Sequence, residues 1–308
     1  MRIKTVILSF VIALSGISST LMVAAQDEDV RGSFLTSRPK TTGSASGSAK
    51  TGPTSKPSHR RPKPTAPNPN GPKDGGATLP PNTNVVNTAR MGLGLTLFMR
   101  DSNGLAVRTD PGREFHKGDH VRFLIETSAD GYLYVFNSTD SGQPVMLYPD
   151  PELDEAGNYF QAHVPFEIPS PAATEERLRW LTFDAQPGAE HIFFVFTREP
   201  LNGVPIEDDL ITLCREKESA CPWRPSTEAW AAIQGELNEP VKVAKVKGVG
   251  RVKTEAEQRA TTRGIGLNRT DPEPSLIMLS SSTTKNILVV SLDLIHVSPS
   301  AADSGEEQ

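Results

Sequence analysis

His116 and His120 in "HKGDH" bracket Asp119 at a turn that leads into a strand. Two imidazoles and a carboxylate at that spacing are part of a metal-ligand set, although exposed turns carry the same residue types routinely. A set of oxygens follows in "DPELDEAGN", where Asp150, Glu152, Asp154, Glu155 and Asn158 alternate along a loop closed by Gly157. A hard cation such as calcium takes oxygen ligands of this kind. The loop lacks the bidentate Glu that closes a twelve-residue calcium loop. Asp150, Glu152 and Asp154 therefore stand as calcium candidates beside the plainer reading of a solvated turn. Ser282 and Lys285 in "SSSTTKN" have the S-x-x-K spacing. That motif needs a helix to bring the amine beside the hydroxyl, and here a strand follows at once. Cys214 as a nucleophile would need a histidine beside it.

Other constellations are missing from the sequence. It holds no phosphate loop ending in Gly-Lys-Ser/Thr, no G-x-S-x-G elbow and no H-E-x-x-H pair. The expectation is a protein without catalytic residues or cofactors. The only two cysteines, Cys214 and Cys221, enclose "CREKESAC". With no second Cys pair or nearby His to make a zinc set, a short structural disulfide is expected.

The elements that would carry these residues read mainly as strands. "GLGLTLFMR" places Leu93, Leu95, Leu97 and Met99 on one face, and "HVRFLIET" sets Val121, Phe123 and Ile125 against Arg122, Leu124 and Glu126. "NILVVSLDLIH" aligns Leu288, Val290, Leu292 and Leu294. "GYLYVFN" and "HIFFVFT" are apolar on both faces, as central strands covered on both sides are. "GYLYVFN", "STDSG" and "QPVMLYP" together read as a hairpin with a loop longer than two residues. Its Tyr132 and Tyr134 are candidates to stack on a partner if that strand is exposed. Helices are expected in "IEDDLITLCREK", in "STEAWAAIQGEL" behind a cap at Ser226, and in "KTEAEQRAT". The fold class is α+β, dominated by an antiparallel sheet with a sandwich as its candidate architecture, and with a helical insertion at about 202–285.

The ends differ from this body. Arg2 and Lys4 precede the apolar run "TVILSFVIAL" and the small, polar "SGISSTLMVAA", the layout of a signal peptide cleaved before Gln26, with an uncleaved membrane anchor as the alternative reading. An exported protein with no membrane span after cleavage is expected, in the periplasm, the envelope or outside the cell. Residues 26–89, with "TTGSASGSAKTGPTSKPSHRRPKPTAPNPNGPKDGGATLPPNTN" as their bulk, offer almost nothing apolar to offset backbone ordering, so they read as a disordered tether. Residues 90–299 are left as the folded body, and 300–308 as an acidic tail.

Charge separates arm from body. Residues 26–89 hold nine Lys or Arg against four acids, whereas residues 90–308 hold 21 against 33, a net of −12. An acidic, exported body excludes nucleic acid as a partner. The basic arm reads as a spacer or as an anchor for anionic surfaces. "KVAKVKGVGRVK", with Lys245, Lys247 and Arg251, reads as an exposed lysine-protected edge or a docking strip for an acidic partner.

Phe115 with Gly118 and Asp119 leads into a strand, Asp130 to Val135 forms "DGYLYV", Leu147 and Pro149 form "L-x-P", and Pro187, Gly188 and Glu190 form "P-G-x-E". Over roughly residues 93–201 this order resembles the bacterial family called domain of unknown function 4384. The resemblance implies a β-rich accessory module, commonly exported and sometimes set beside peptidase or signalling domains. It brings no catalytic residue. The functional expectation is a non-enzymatic binding or interaction module of the envelope, with a protein or an anionic envelope polymer as partner. Its rival is a secreted hydrolase or a peptidase-associated accessory protein.

Overall fold

A computed structural model of the chain describes residues 17–40, 59–61, 90–139, 142–152, 157–217, 220–245 and 248–298. In chain order the elements are α1 (Ile17–Ser37), β1 (Gly92–Arg100), β2 (Ala106–Arg108), β3 (Glu114–Phe115), β4 (His120–Thr127), β5 (Gly131–Thr139), β6 (Val145–Tyr148), β7 (Tyr159–Phe160) and β8 (Phe166–Ile168). Then come a 3-10 turn at Glu176–Arg179, β9 (Leu181–Thr182), β10 (Gly188–Thr197), α2 (Glu207–Glu216) and α3 (Thr227–Glu236). The last elements are β11 (Val241–Lys245), α4 (Glu255–Arg263), β12 (Leu276–Ser280) and β13 (Ile287–His296).

The strands make two mostly antiparallel sheets. The first runs β11-β12-β1-β4-β8, with β2 beside β1 and β9 beside β4; the second runs β3-β13-β10-β5-β6, with β7 beside β5. β3 joins β13 in parallel. The alternation read from the sequence sets the packing. Leu93, Leu95, Leu97, Phe123, Ile125, Leu288 and Val290 point between the sheets, where they meet Leu133, Val135, Phe194 and Phe196 from β5 and β10. Those two strands occupy the middle of their sheet and are apolar on the other face as well. There Tyr134, Phe136, Phe193 and Val195 pack against Leu210 of α2 and Ile233 of α3. The resulting class is α+β.

The helices form where their caps and apolar stripes permit. α2 begins with Glu207, Asp208 and Asp209, whose charges suit the positive end of a helix. Ser226 accepts a bond from the Ala229 amide at the start of α3. Thr254 and Glu257 close a capping box on α4, which stops at Gly264 in the left-handed region (φ 60°). The stretch 202–285 holds more than helices, however. It also supplies β11 and β12, which extend the first sheet beyond β1.

Two parts of the expected tether are ordered. The composition of 26–89 predicts coil throughout, yet α1 continues to Ser37, and Val30, Phe34 and Arg38 are buried. Spaced four apart, these three share one helix face, and Val30 and Phe34 pack on Ala244, Ile277 and Leu279. His59–Arg61 also lie against the body. Residues 41–58 and 62–89 lie outside the described residues, as do residues 1–16 of the expected signal and the tail from 299. No helix among the described residues is long and apolar enough to cross a membrane.

Candidate functional site

The outer face of β4 carries Arg122 and Glu126, the polar positions opposite Val121, Phe123 and Ile125. Both are buried, because loops and helices cover this face as well. Arg122 donates to Glu167 Oε2 at 3.1 Å and twice to the carbonyl of Arg179, at 2.9 and 2.7 Å. Its guanidinium lies 3.9 Å from the centre of the Trp180 ring. On the other side of Glu167, Lys253 Nζ forms an ion pair with Oε1 and donates to Thr261 Oγ1 at 3.1 Å. Burial lowers the pKa of both cations, and the Glu167 carboxylate opposes that shift. Two cations thus share one fully buried carboxylate.

Above this floor opens a cavity of about 370 Å³. Its walls include Arg100, Arg122, Arg179, Trp180 and Lys253, with Glu176 as the acidic residue. Glu176 is paired with Arg100 at 3.1 Å. Arg179 is fixed by its own Nε, which donates to the Ala173 carbonyl at 2.8 Å. Four cations and an indole face one open space, with one carboxylate among the walls and a second beneath. On a body with 21 basic against 33 acidic residues, this is a local reversal of sign. Such a concave site concentrates anions. A smaller cavity of about 170 Å³, lined by Val121, Leu181, Phe183, Ile192 and Leu294 with Asn137 and Glu190 at its side, is mostly apolar.

A second polar cluster lies on the same face, at Glu126. Arg38 Nε and Nη2 hold both carboxylate oxygens, at 2.8 and 2.6 Å. The remaining Arg38 donors reach the carbonyls of Asn268, Asp271 and Pro272, each at 3.1 Å. His163 Nδ1 is 2.7 Å from Glu126 Oε1, and its Nε2 is 2.9 Å from Ser37 Oγ. His163 sits at φ 60°, held by bonds to Thr127 and Leu267. Serine, histidine and glutamate here have the spacing of a nucleophile, its base and an orienting acid. The surroundings oppose that chemistry. Ser37 ends α1, where carbonyls rather than amides are left over, so no oxyanion donors are provided. Its hydroxyl bonds the Phe34 carbonyl at 2.5 Å, and Glu126 is already neutralised by Arg38. The cluster latches α1 to the sheet.

The residues singled out from sequence fall elsewhere. Tyr132 and Tyr134 are not available for stacking on a partner. They are 3% and 0% exposed beneath the helical layer, because β5 is covered on both faces. Burial raises the Tyr134 pKa, and its hydroxyl accepts from the Leu201 amide at 3.0 Å. Lys245 and Arg251 are exposed, whereas Lys253 of the same basic strip turns inward to Glu167; Lys247 lies outside the described residues. Asp150 Oδ1 accepts the Glu152 amide at 2.8 Å in a local turn, and Asp154 and Glu155 lie outside the described residues. Asn158 is buried and donates to the Leu133 carbonyl at 3.1 Å.

The remaining candidates serve local structure. The His116 amide donates to Asp119, while His120 Nδ1 lies 2.8 Å from Thr182 Oγ1. Among the described residues no three His, Cys, Asp or Glu side chains gather as a metal site. Lys285 pairs with Glu236 and Glu239 rather than approaching Ser282, whose hydroxyl meets Thr284. Cys214 and Cys221 are joined, with Cα atoms 5.5 Å apart. Sequence reading missed Arg100, Arg179 and Trp180. The legible hint was Arg122 on the polar face of an otherwise apolar strand.

No curated protein and no solved structure matches this chain significantly. Residues 114–200, from β3 to just past the end of β10, match the family model described as Domain of unknown function (DUF4384), the family that the motifs suggested.

Proposed function

We propose that this chain is an exported, non-enzymatic binding module of the bacterial envelope, and that its basic cavity holds an anionic group of an envelope polymer. The observation that carries this reading is the convergence of Arg100, Arg122, Arg179 and Lys253 with Trp180 on one open space. Arg122 and Lys253 are compensated by Glu167 and set the floor. Arg100 and Arg179 stand nearer the mouth and supply the charge that an incoming carboxylate or phosphate meets. The indole offers an apolar surface beside it, suited to the ring of a charged sugar.

Titration calorimetry of the full chain with soluble polygalacturonate and with inorganic phosphate tests this. Binding of the polymer should weaken as salt rises, and by about tenfold in R100A/R179A, equivalent to about 1.4 kcal/mol. R179A keeps the carbonyl that Arg122 uses, so the floor should survive. Binding of phosphate alone would place recognition in phosphate rather than in carboxylated sugar. No binding of either probe, or equal affinity in the variant, would overturn the reading. The hydrolase reading rests on the Ser37–His163–Glu126 alignment. Covalent labelling of Ser37 by a fluorophosphonate would support it; an unlabelled Ser37 is expected.

A further inference from the structure

His59, Arg60 and Arg61 come from the middle of the basic arm, yet they are seated on the body at a place remote in sequence. The His59 ring stacks on Phe160 at 4.9 Å and meets the edge of Phe166 at 4.2 Å. Those rings contact each other and Tyr148 where β8 of one sheet meets β6 and β7 of the other. The backbone takes part as well. The Tyr159 amide donates to the His59 carbonyl at 2.7 Å, and His59 Nδ1 lies 3.3 Å from the Tyr159 carbonyl. Arg60 then pairs with Asp208 at 2.9 Å, and the Arg61 amide donates to Glu207 Oε1 at 3.4 Å, both at the first turn of α2.

The body has a surface shaped for this segment. A Cβ on Gly157 would lie 2.8 Å from the carbonyl carbon of His59 and 3.0 Å from the Arg60 nitrogen, so glycine permits the close approach. An aromatic slot, one main-chain pairing site and an acidic rim recognise an aromatic or imidazole side chain followed by a cation, in a chain that bends at the cation. The charge contrast between arm and body favours the same contact.

We infer that this slot is a docking site for short cationic peptide segments and that the arm's His59–Arg61 segment is its resident ligand. This goes beyond the basic cavity, which takes anions, and does not depend on it. A partner presenting the same chemistry would have to displace the arm. A segment tethered to its own site competes at an effective concentration of roughly mM, so docking in cis keeps the slot shut to weak ligands.

The test uses a fluorescent peptide of residues 56–64, KPSHRRPKP, and polarisation measurements on full-length chains. H59A/R60A removes the resident side chains while leaving the residues of the slot itself unchanged. The peptide should bind this variant at least tenfold more tightly than it binds wild type. Adding G157A, whose methyl group would collide with the docked backbone, should abolish that gain. Adding D208N instead, which removes the charge that Arg60 meets at an 81% exposed side chain without placing a cation at the start of α2, should weaken it severalfold. Failure of the peptide to bind H59A/R60A more tightly than wild type would overturn the inference, as would unchanged binding with G157A. A wild-type dimer lost in H59A/R60A would place the arm on a neighbouring copy and overturn docking in cis.

Discussion

Arg38 and Glu126 form a bidentate ion pair across 88 residues of sequence, with side chains 0% and 3% exposed. The pair ties the end of α1 to the outer face of β4. Arg38 spends its N–H groups on the carboxylate and three carbonyls, and Arg269 bonds the Thr36 and Arg38 carbonyls that the helix end would otherwise leave over. A buried charge is tolerated only when so completely partnered.

R38A should therefore cost about 3–5 kcal/mol, because it strands a buried carboxylate with the His163 ring as its remaining side-chain hydrogen-bond partner. R38M/E126L should lose much less, since a buried pair replaced by apolar side chains is often near neutral. Urea unfolding of the three proteins gives the comparison. A cost for R38A below about 1 kcal/mol would mean that α1 is not held by this pair.

Limited proteolysis should cut in the Pro-, Gly- and Ser-rich stretch between Lys40 and Arg90, because so polar a segment offers little burial to protect it. The body should survive from near residue 90. The segment around Val30, Phe34 and Arg38 should stay bound to it after cleavage and separate under denaturing conditions. Mass spectrometry before and after denaturation shows both. Loss of the N-terminal fragment under native conditions would contradict its docking.

The bond between Cys214 and Cys221 closes a short ring at the end of α2, beside Trp223 in the outer core. Its loss in C214S/C221S should cost about 2–3 kcal/mol by the loop-entropy argument for a ring of this size. Thiol labelling without reduction should modify neither cysteine. Full labelling, or an unchanged unfolding midpoint in the variant, would count against a structural bridge.

Tyr134 should make stability fall at alkaline pH. Burial raises its folded pKa above the ordinary value of 10.0. The unfolded chain therefore loses this proton first as pH rises above about 10, and the folded state binds more protons there. The contribution is fully present below that pH and is lost as pH climbs through the folded value. Lys253 acts in the opposite direction, because its folded pKa is lowered from 10.5. Comparing wild type with Y134F separates the two. The variant should show a weaker decline in stability above pH 10, and one fewer tyrosine ionising only on unfolding at 295 nm.

The period-two pattern of β1, β4 and β13 and the double-sided apolar runs of β5 and β10 were enough to place these strands around a sheet core. A one-residue change of face would expose every apolar group they carry. Ser226, and the acids that open α2, marked two helix starts in the same local way. The family resemblance was read from short motifs of turn and strand residues at 115–119, 130–135, 147–149 and 187–190, which are local as well. The disulfide needed only two cysteines seven apart.

Tertiary structure decided the rest, because the decisive partners are distant in the chain. Arg122 on its strand is simply a polar residue; Glu167 of β8, Arg179 and Trp180 at the end of the 3-10 turn, and Lys253 turn it into the floor of a cavity, from segments that no periodicity links. Lys253 looked like one more solvated base in a basic strip until Glu167 drew it inward. The Val30, Phe34 and Arg38 stripe was visible as helical spacing but was overshadowed by the polar composition downstream. Tyr132 and Tyr134 showed the reverse. Their sequence marks a strand, but whether an outer face meets solvent or a helix depends on where α2 and α3 pack, and that is set by the apolar faces of all three elements together.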